Sequence, residues 1–139
     1  MNLLQVADVP ALQLEATRTV RDAVNGMMSR NVGAVVVTEN GKIAGIFTER
    51  DVMTKVVNGR LDPDRTPLHQ VMNAPVYSVP ATLYVQDALR NMLDRRVRNL
   101  VISSDGRTAQ GTVALSSLMQ FMLDYLQQNL RQMESYLGR

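Results

Sequence analysis

The sequence predicts a mixed α/β (α+β) fold: two tandem βαββα repeats packed as a pseudo-two-fold pair, followed by an extended C-terminal helix. Three observations carry that prediction. The chain repeats itself at an offset of 65 residues, each copy shows helix and hairpin signals in the same order, and an apolar stripe runs through residues 115–137.

Setting residue n against residue n + 65 pairs Leu3 with Leu68, Gln5 with Gln70, Val6 with Val71, Pro10 with Pro75, Ala16 with Ala81 and Thr17 with Thr82. It continues with Val20 and Val85, Asp22 and Asp87, Ala23 and Ala88, Met27 and Met92, Arg30 and Arg95, Val32 and Val97, Val36 and Val101, and Gly41 and Gly106. These 14 identities fall between residues 3 and 41 without a gap. Average residue usage would give roughly two or three by chance. A fixed period of this kind marks two copies of one structural unit.

In the first copy, Thr19 is placed to cap a helix in which Val20, Ala23, Val24, Met27 and Met28 form one apolar face. Ala34–Thr38 reads as a buried strand. Asn40-Gly41 is a hairpin turn, since both residues tolerate positive φ, and Ile43–Thr48 is the return strand. A second helix is expected over Glu49–Val57, stopped by Asn58-Gly59. The second copy repeats the order: a helix from Val85 to about Arg95, a strand Asn99–Ser103, a turn at Asp105-Gly106, a strand Ala109–Val113 and a long closing helix. The expected boundaries are 1–59 for the first repeat, 60–67 for a linker, 68–123 for the second repeat and 124–139 for the helical extension. A lone three-stranded sheet cannot bury both faces, so the two copies should pack sheet to sheet.

Composition narrows function by exclusion. The 139 residues are 45% hydrophobic and 20% charged, with a formal charge of +2, one His and no Cys. So small a charge gives no reason to expect nucleic acid or an anionic membrane. Without Cys there are no disulfides, thiolate nucleophiles or zinc-thiolate sites. No basic-plus-apolar leader and no long uncharged apolar run is present, which makes the cytoplasm the expected compartment. His69 has no second His or carboxylate cluster near it in sequence, so neither a metal role nor a catalytic triad is expected. There is no GxGxxG or GxxxxGK[ST] phosphate loop either.

The first copy contains Thr19-Val20-Arg21-Asp22-Ala23 and Gly45-Ile46-Phe47-Thr48-Glu49-Arg50-Asp51. The second keeps the opening as Leu83-Tyr84-Val85-Gln86-Asp87-Ala88 but closes as Gly111-Thr112-Val113-Ala114-Leu115-Ser116-Ser117, after a one-residue insertion in its hairpin. Over residues 1–123 this resembles the tandem CBS (Bateman) module. The resemblance implies a non-catalytic regulatory role and an adenine nucleotide (AMP, ADP or ATP), S-adenosylmethionine or NAD held between the repeats.

It also implies site residues. Gly45 would let a ligand approach the backbone next to Ile46, Asp51 would accept hydrogen bonds from ribose hydroxyls, and Thr48 at the helix start would meet a ribose or phosphate oxygen. Phosphate would be met from the other repeat by Arg98, ahead of Arg95 and Arg96. Ala114 and Ser117 replace the hydroxyl and carboxylate in the second copy, so one competent site is expected. Each residue has a plainer reading. Thr48 with Asp51 is also an ordinary capped helix start, Asp22 and Asp87 are first-turn carboxylates, and Arg95 and Arg96 complement a helix C-terminus.

Leu115, Met119, Met122, Leu126, Leu130, Met133 and Leu137 follow a near-heptad spacing, flanked mostly by Gln and Asn. Leu115–Met122 should pack on the chain's own core, and the stripe from Leu126 onward on a second subunit, as in the disc-like dimers that the resemblance implies. The leading functional expectation is a homodimeric sensor of an adenosyl ligand acting on an unidentified effector protein. The alternative is a dimerisation scaffold that has lost its ligand, and an enzyme comes a distant third.

Overall fold

The computed structural model describes residues 2–138. Each repeat forms its own three-stranded sheet. In the first, β1 (Gln13–Glu15) pairs parallel with β2 (Ala34–Glu39), which pairs antiparallel with β3 (Lys42–Thr48). In the second, β4 (Ser78–Val79), β5 (Asn99–Ile102) and β6 (Gly111–Ala114) pair in the same way. Helix α1 (Val20–Arg30) connects β1 to β2, and α3 (Val85–Arg95) connects β4 to β5. The registers coincide under the repeat offset, with Gln13 opposite Val36 in one sheet and Ser78 opposite Val101 in the other.

Local chemistry sets the helix ends. Thr19 Oγ1 accepts from the Asp22 N–H at 3.3 Å, and Asp22 Oδ2 accepts from the Thr19 N–H at 3.2 Å, a reciprocal cap that satisfies two orphan donors. Arg18 adds an ion pair to the same carboxylate at 2.9 Å. Asp22 is thereby a structural residue. Asn31 closes α1 in the left-handed region at φ 53°, and Arg96 closes α3 in the same way at φ 56°.

The central strands are buried on both faces, which is why their sequences read as unbroken apolar runs. Val35 and Val37 point into a core with Val20, Ala23, Met27 and Phe47. Val36, between them, points the other way into a cluster with Val101, Ala11 and Ala109. Leu100 and Ile102 repeat the inward pattern with Val85, Ala88, Met92 and Leu118. The repeats therefore meet sheet to sheet, with Val36 and Val101 in the shared layer.

The opening segment of each repeat completes the core of the other. Leu3 is fully buried in the second repeat's core, with Leu4, Val6 and Ala7 against it, and its N–H donates to the Ala81 carbonyl. Leu68, Val71 and Met72 occupy the matching place in the first repeat, where the N–H groups of Leu68 and His69 donate to the carbonyls of Arg18 and Ala16. The bridges Asp8–Thr112 and Asn73–Ile46 extend the same reciprocity.

Several expected boundaries shift. The last strand of the second repeat is Gly111–Ala114 and not Ala109–Val113, because Asp105 Oδ1 accepts from the N–H groups of Arg107 and Thr108 and holds a longer hairpin loop. The helix after β3 is α-helical only over α2 (Glu49–Asp51) and continues as a π-helix over Val52–Val57. Its left-handed terminator is Arg60, not Gly59. Gly59 is needed for space, since a Cβ there would lie 2.2 Å from the Lys55 carbonyl oxygen.

Helix α4 (Leu115–Tyr136) closes the chain. Its inner face is Leu118, with Leu115, Phe121 and Met122 partly buried on the second core. Met119, expected on that face, is 52% exposed. It heads an outer row of Leu123, Leu126, Leu130, Met133 and Leu137, all exposed, with spacings of 4, 3, 4, 3 and 4. No helix among the described residues is long and apolar enough to cross a membrane.

Candidate functional site

The strand-to-helix junction at β3–α2 faces the loop between α3 and β5, and a cavity of about 610 Å³ lies between them. Ile46, Thr48, Glu49, Arg50, Asp51, Met53 and Asn73 line one side, and Arg96, Val97, Arg98 and Asn99 the other. Of the sequence-predicted residues, Ile46, Thr48, Asp51, Arg96 and Arg98 are brought together here. Gly45 and Arg95 are not. A Cβ on Gly45 would come within 2.5 Å of Met72 Sδ, so the missing side chain makes room for Met72 and not for a ligand. Arg95 stacks over the Tyr77 ring at 3.7 Å from its centroid.

Asp51 is 7% exposed and is held by several donors. Its Oδ2 accepts from the Thr48 N–H at 2.8 Å, the Thr48 hydroxyl at 3.0 Å and the Asn73 side-chain amide at 2.7 Å. Lys55 Nζ lies 3.8 Å from Oδ1 and also donates to Asn73 Oδ1 and the Val71 carbonyl, each at 2.8 Å. The capped helix start expected as the plainer reading is present. It uses Oδ2 and leaves Oδ1 with only the long contact to Lys55. A carboxylate fixed in this way is an oriented acceptor for vicinal hydroxyls.

Asn73 was not singled out from the sequence. It ties Asp51 to Lys55, and its backbone exchanges hydrogen bonds with Ile46. The available signal was its place in the repeat, equivalent to Asp8. On the opposite wall the guanidiniums of Arg96 and Arg98, with Arg50 from α2, form no ion pair among the described residues. His69 lies in the 3₁₀ turn Leu68–Gln70 and does not line the cavity.

The repeat-related position holds a second cavity of about 600 Å³, lined in part by Asp8, Asn31, Gly33, Ala114, Ser116 and Ser117. Here Ala114 and Ser117 stand where Thr48 and Asp51 stand in the first, and Asn31 and Gly33 where Arg96 and Arg98 stand. Among the described residues, no group of three or more His, Asp or Glu side chains could hold a metal ion.

Comparison with known proteins agrees with this architecture. The CBS domain family model matches residues 6–58 and again 68–124. An uncharacterised protein of Methanopyrus kandleri, MK0525, is 32% identical over 105 residues, covering 75% of this chain and 54% of that protein. The chain spans between 16% and 54% of the length of the first curated relatives it matches. A signal-transduction protein with CBS domains from Burkholderia ambifaria superposes with a TM-score of 0.80 at 24% identity, covering 89% of this chain and 95% of that one. The CBS domain protein PAE2072 of Pyrobaculum aerophilum, solved in complex with AMP, superposes with a TM-score of 0.73 at 24% identity, covering 84% and 89%. With the family matched over both repeats and the same fold in solved relatives, the chain belongs to the CBS-domain family.

Proposed function

We propose that the protein is a non-catalytic regulatory module that binds an adenine nucleotide or related adenosyl ligand in the cavity between its repeats. The observation that carries this reading is the convergence, in one cavity of about 610 Å³, of an oriented, buried carboxylate from one repeat and, from the other, two arginines that form no ion pair among the described residues. Asp51 Oδ1 offers the ribose an acceptor, and Arg98 offers a phosphate a bidentate donor. That the Pyrobaculum relative was solved with AMP supports the ligand class. The second cavity, which has Ser117 in place of Asp51 and shares Arg98 with the first, is the weaker site.

The module acts as a homodimer in this reading. Met28, Met53 and Val57 are exposed in the first repeat, and their repeat equivalents Leu93, Met119 and Leu123 are exposed in the second. An apolar surface that follows the internal symmetry suits an isologous partner, and the outer row of α4 extends it. Ligand occupancy would then change the packing between repeats or subunits, and an effector protein would read that change.

The test is a thermal-shift titration of wild type and Asp51→Ala with AMP, ADP, ATP, S-adenosylmethionine and NAD. A ligand specific to the folded state adds about 2.7 kcal/mol at 100 times its dissociation constant. A shift with one of them that disappears in Asp51→Ala is expected. A well-folded protein that responds to none would instead be a dimerisation scaffold, the reading that the exposed row on α4 favours.

A further inference from the structure

We propose, resting on the nucleotide reading above, that the first cavity selects for phosphate number and takes a nucleoside diphosphate or triphosphate in preference to a monophosphate or a cationic adenosyl compound. Three guanidiniums line it. Arg50 comes from the start of α2, and Arg96 and Arg98 come from the loop after α3. All three are exposed, and none is ion-paired among the described residues. Two acidic side chains, Asp51 and Glu49, share the cavity with them and pair with none of the three. Asp51 is turned into its own cap and accompanied by Lys55. Glu49 and Arg98 each line both cavities, and the Glu49 carboxylate lies toward Gly33 on the second cavity's side, where a Cβ on Gly33 would come within 3.0 Å of its Oε1.

A phosphate monoester carries about −1.5 to −2 at neutral pH, and two guanidiniums neutralise it. The third cation is surplus for a monophosphate and matches the further charge of a second phosphate. A sulfonium ligand would meet three like charges and brings no phosphate to pair with them.

Isothermal titration of the full chain with adenosine, AMP, ADP, ATP and S-adenosylmethionine, in buffer with a metal chelator, decides the matter. The expected order is ATP and ADP at least tenfold tighter than AMP, with adenosine and S-adenosylmethionine weakest. The ADP-to-AMP ratio should fall toward one in Arg50→Ala and in Arg96→Asn, a substitution that keeps the left-handed backbone acceptable and so leaves the fold intact. Equal affinity for AMP and ADP, or a ratio unchanged in both variants, overturns phosphate counting while leaving the nucleotide reading in place. Binding of S-adenosylmethionine alone overturns phosphate counting, and binding of no ligand overturns the nucleotide reading itself.

Discussion

The side-chain amide of Asn73 donates to Asp51 Oδ2 at 2.7 Å across 22 residues of sequence. The proposed ribose acceptor is therefore positioned by the segment that opens the second repeat, not by the helix that carries it alone. Asn73→Ala should cost about 1 kcal/mol of stability, the net worth of an ordinary hydrogen bond. It should also weaken nucleotide binding more than that loss alone implies, because Asp51 is freed to rotate. Thermal unfolding and a titration on the same variant separate the two effects, and unchanged affinity would remove Asn73 from the site.

Gly45 tests whether a bare backbone serves the fold or the ligand. A Cβ there would sit 2.5 Å from Met72 Sδ and 2.9 Å from Met72 Cβ, too deep to be relieved by rotating the end of the side chain. Gly45→Ala should destabilise by about 1–3 kcal/mol, the usual range for overpacking. Pairing it with Met72→Ala should recover part of the loss, measurable as a double-mutant cycle in urea.

The two faces of α4 predict opposite outcomes. Leu118 is fully buried, so Leu118→Ala should cost about 2–5 kcal/mol. Leu130 and Met133 are 59% and 60% exposed, so Leu130→Glu with Met133→Glu should leave the far-ultraviolet circular dichroism of the folded chain unchanged. Sedimentation should show wild type as a dimer and the double variant as a monomer. A wild-type monomer at high concentration would refute the pairing role.

Acid should unfold the protein partly through two carboxylates. The Arg18 guanidinium, with the Thr19 N–H, holds Asp22 below its ordinary value of 3.8, and the N–H groups of Thr108 and Arg107 hold Asp105 below the same value. The unfolded chain therefore takes up protons first. The stability these groups supply is complete above about pH 4 and is lost as pH falls below it. Both are solvent-screened, so each contribution is small. Melting temperature followed from pH 6 down to pH 2.5 should fall less steeply in Asp22→Asn and Asp105→Asn, from a lower plateau.

What the sequence could disclose is clearest in α1, where Thr19, the apolar spacing and the repeat offset all agree, and the helix begins at Val20 as expected. Thr48, Asp51 and Arg98 follow from the resemblance to the family and not from spacing, and all three line one cavity. The exchange of opening segments was not legible. Leu3 and Leu68 are repeat equivalents, so the apolar pattern is identical whichever core each one fills. Asn73 was hidden because its partners are tens of residues away. Met119 was misplaced because the first turns of α4 are apolar on several sides, and only tertiary packing shows that Leu118 and Phe121 face inward.

The reciprocal filling of cores by Leu3 and Leu68 has the connectivity of a domain-swapped dimer whose two chains have been fused. The segment joining the halves is itself docked, the carbonyls of Pro63 and Thr66 accepting from the N–H groups of Arg21 and Val20, and it makes the association of the two halves intramolecular. Neither half has a complete interior of its own. The two should melt in one transition, and separately expressed halves should recover structure only when mixed.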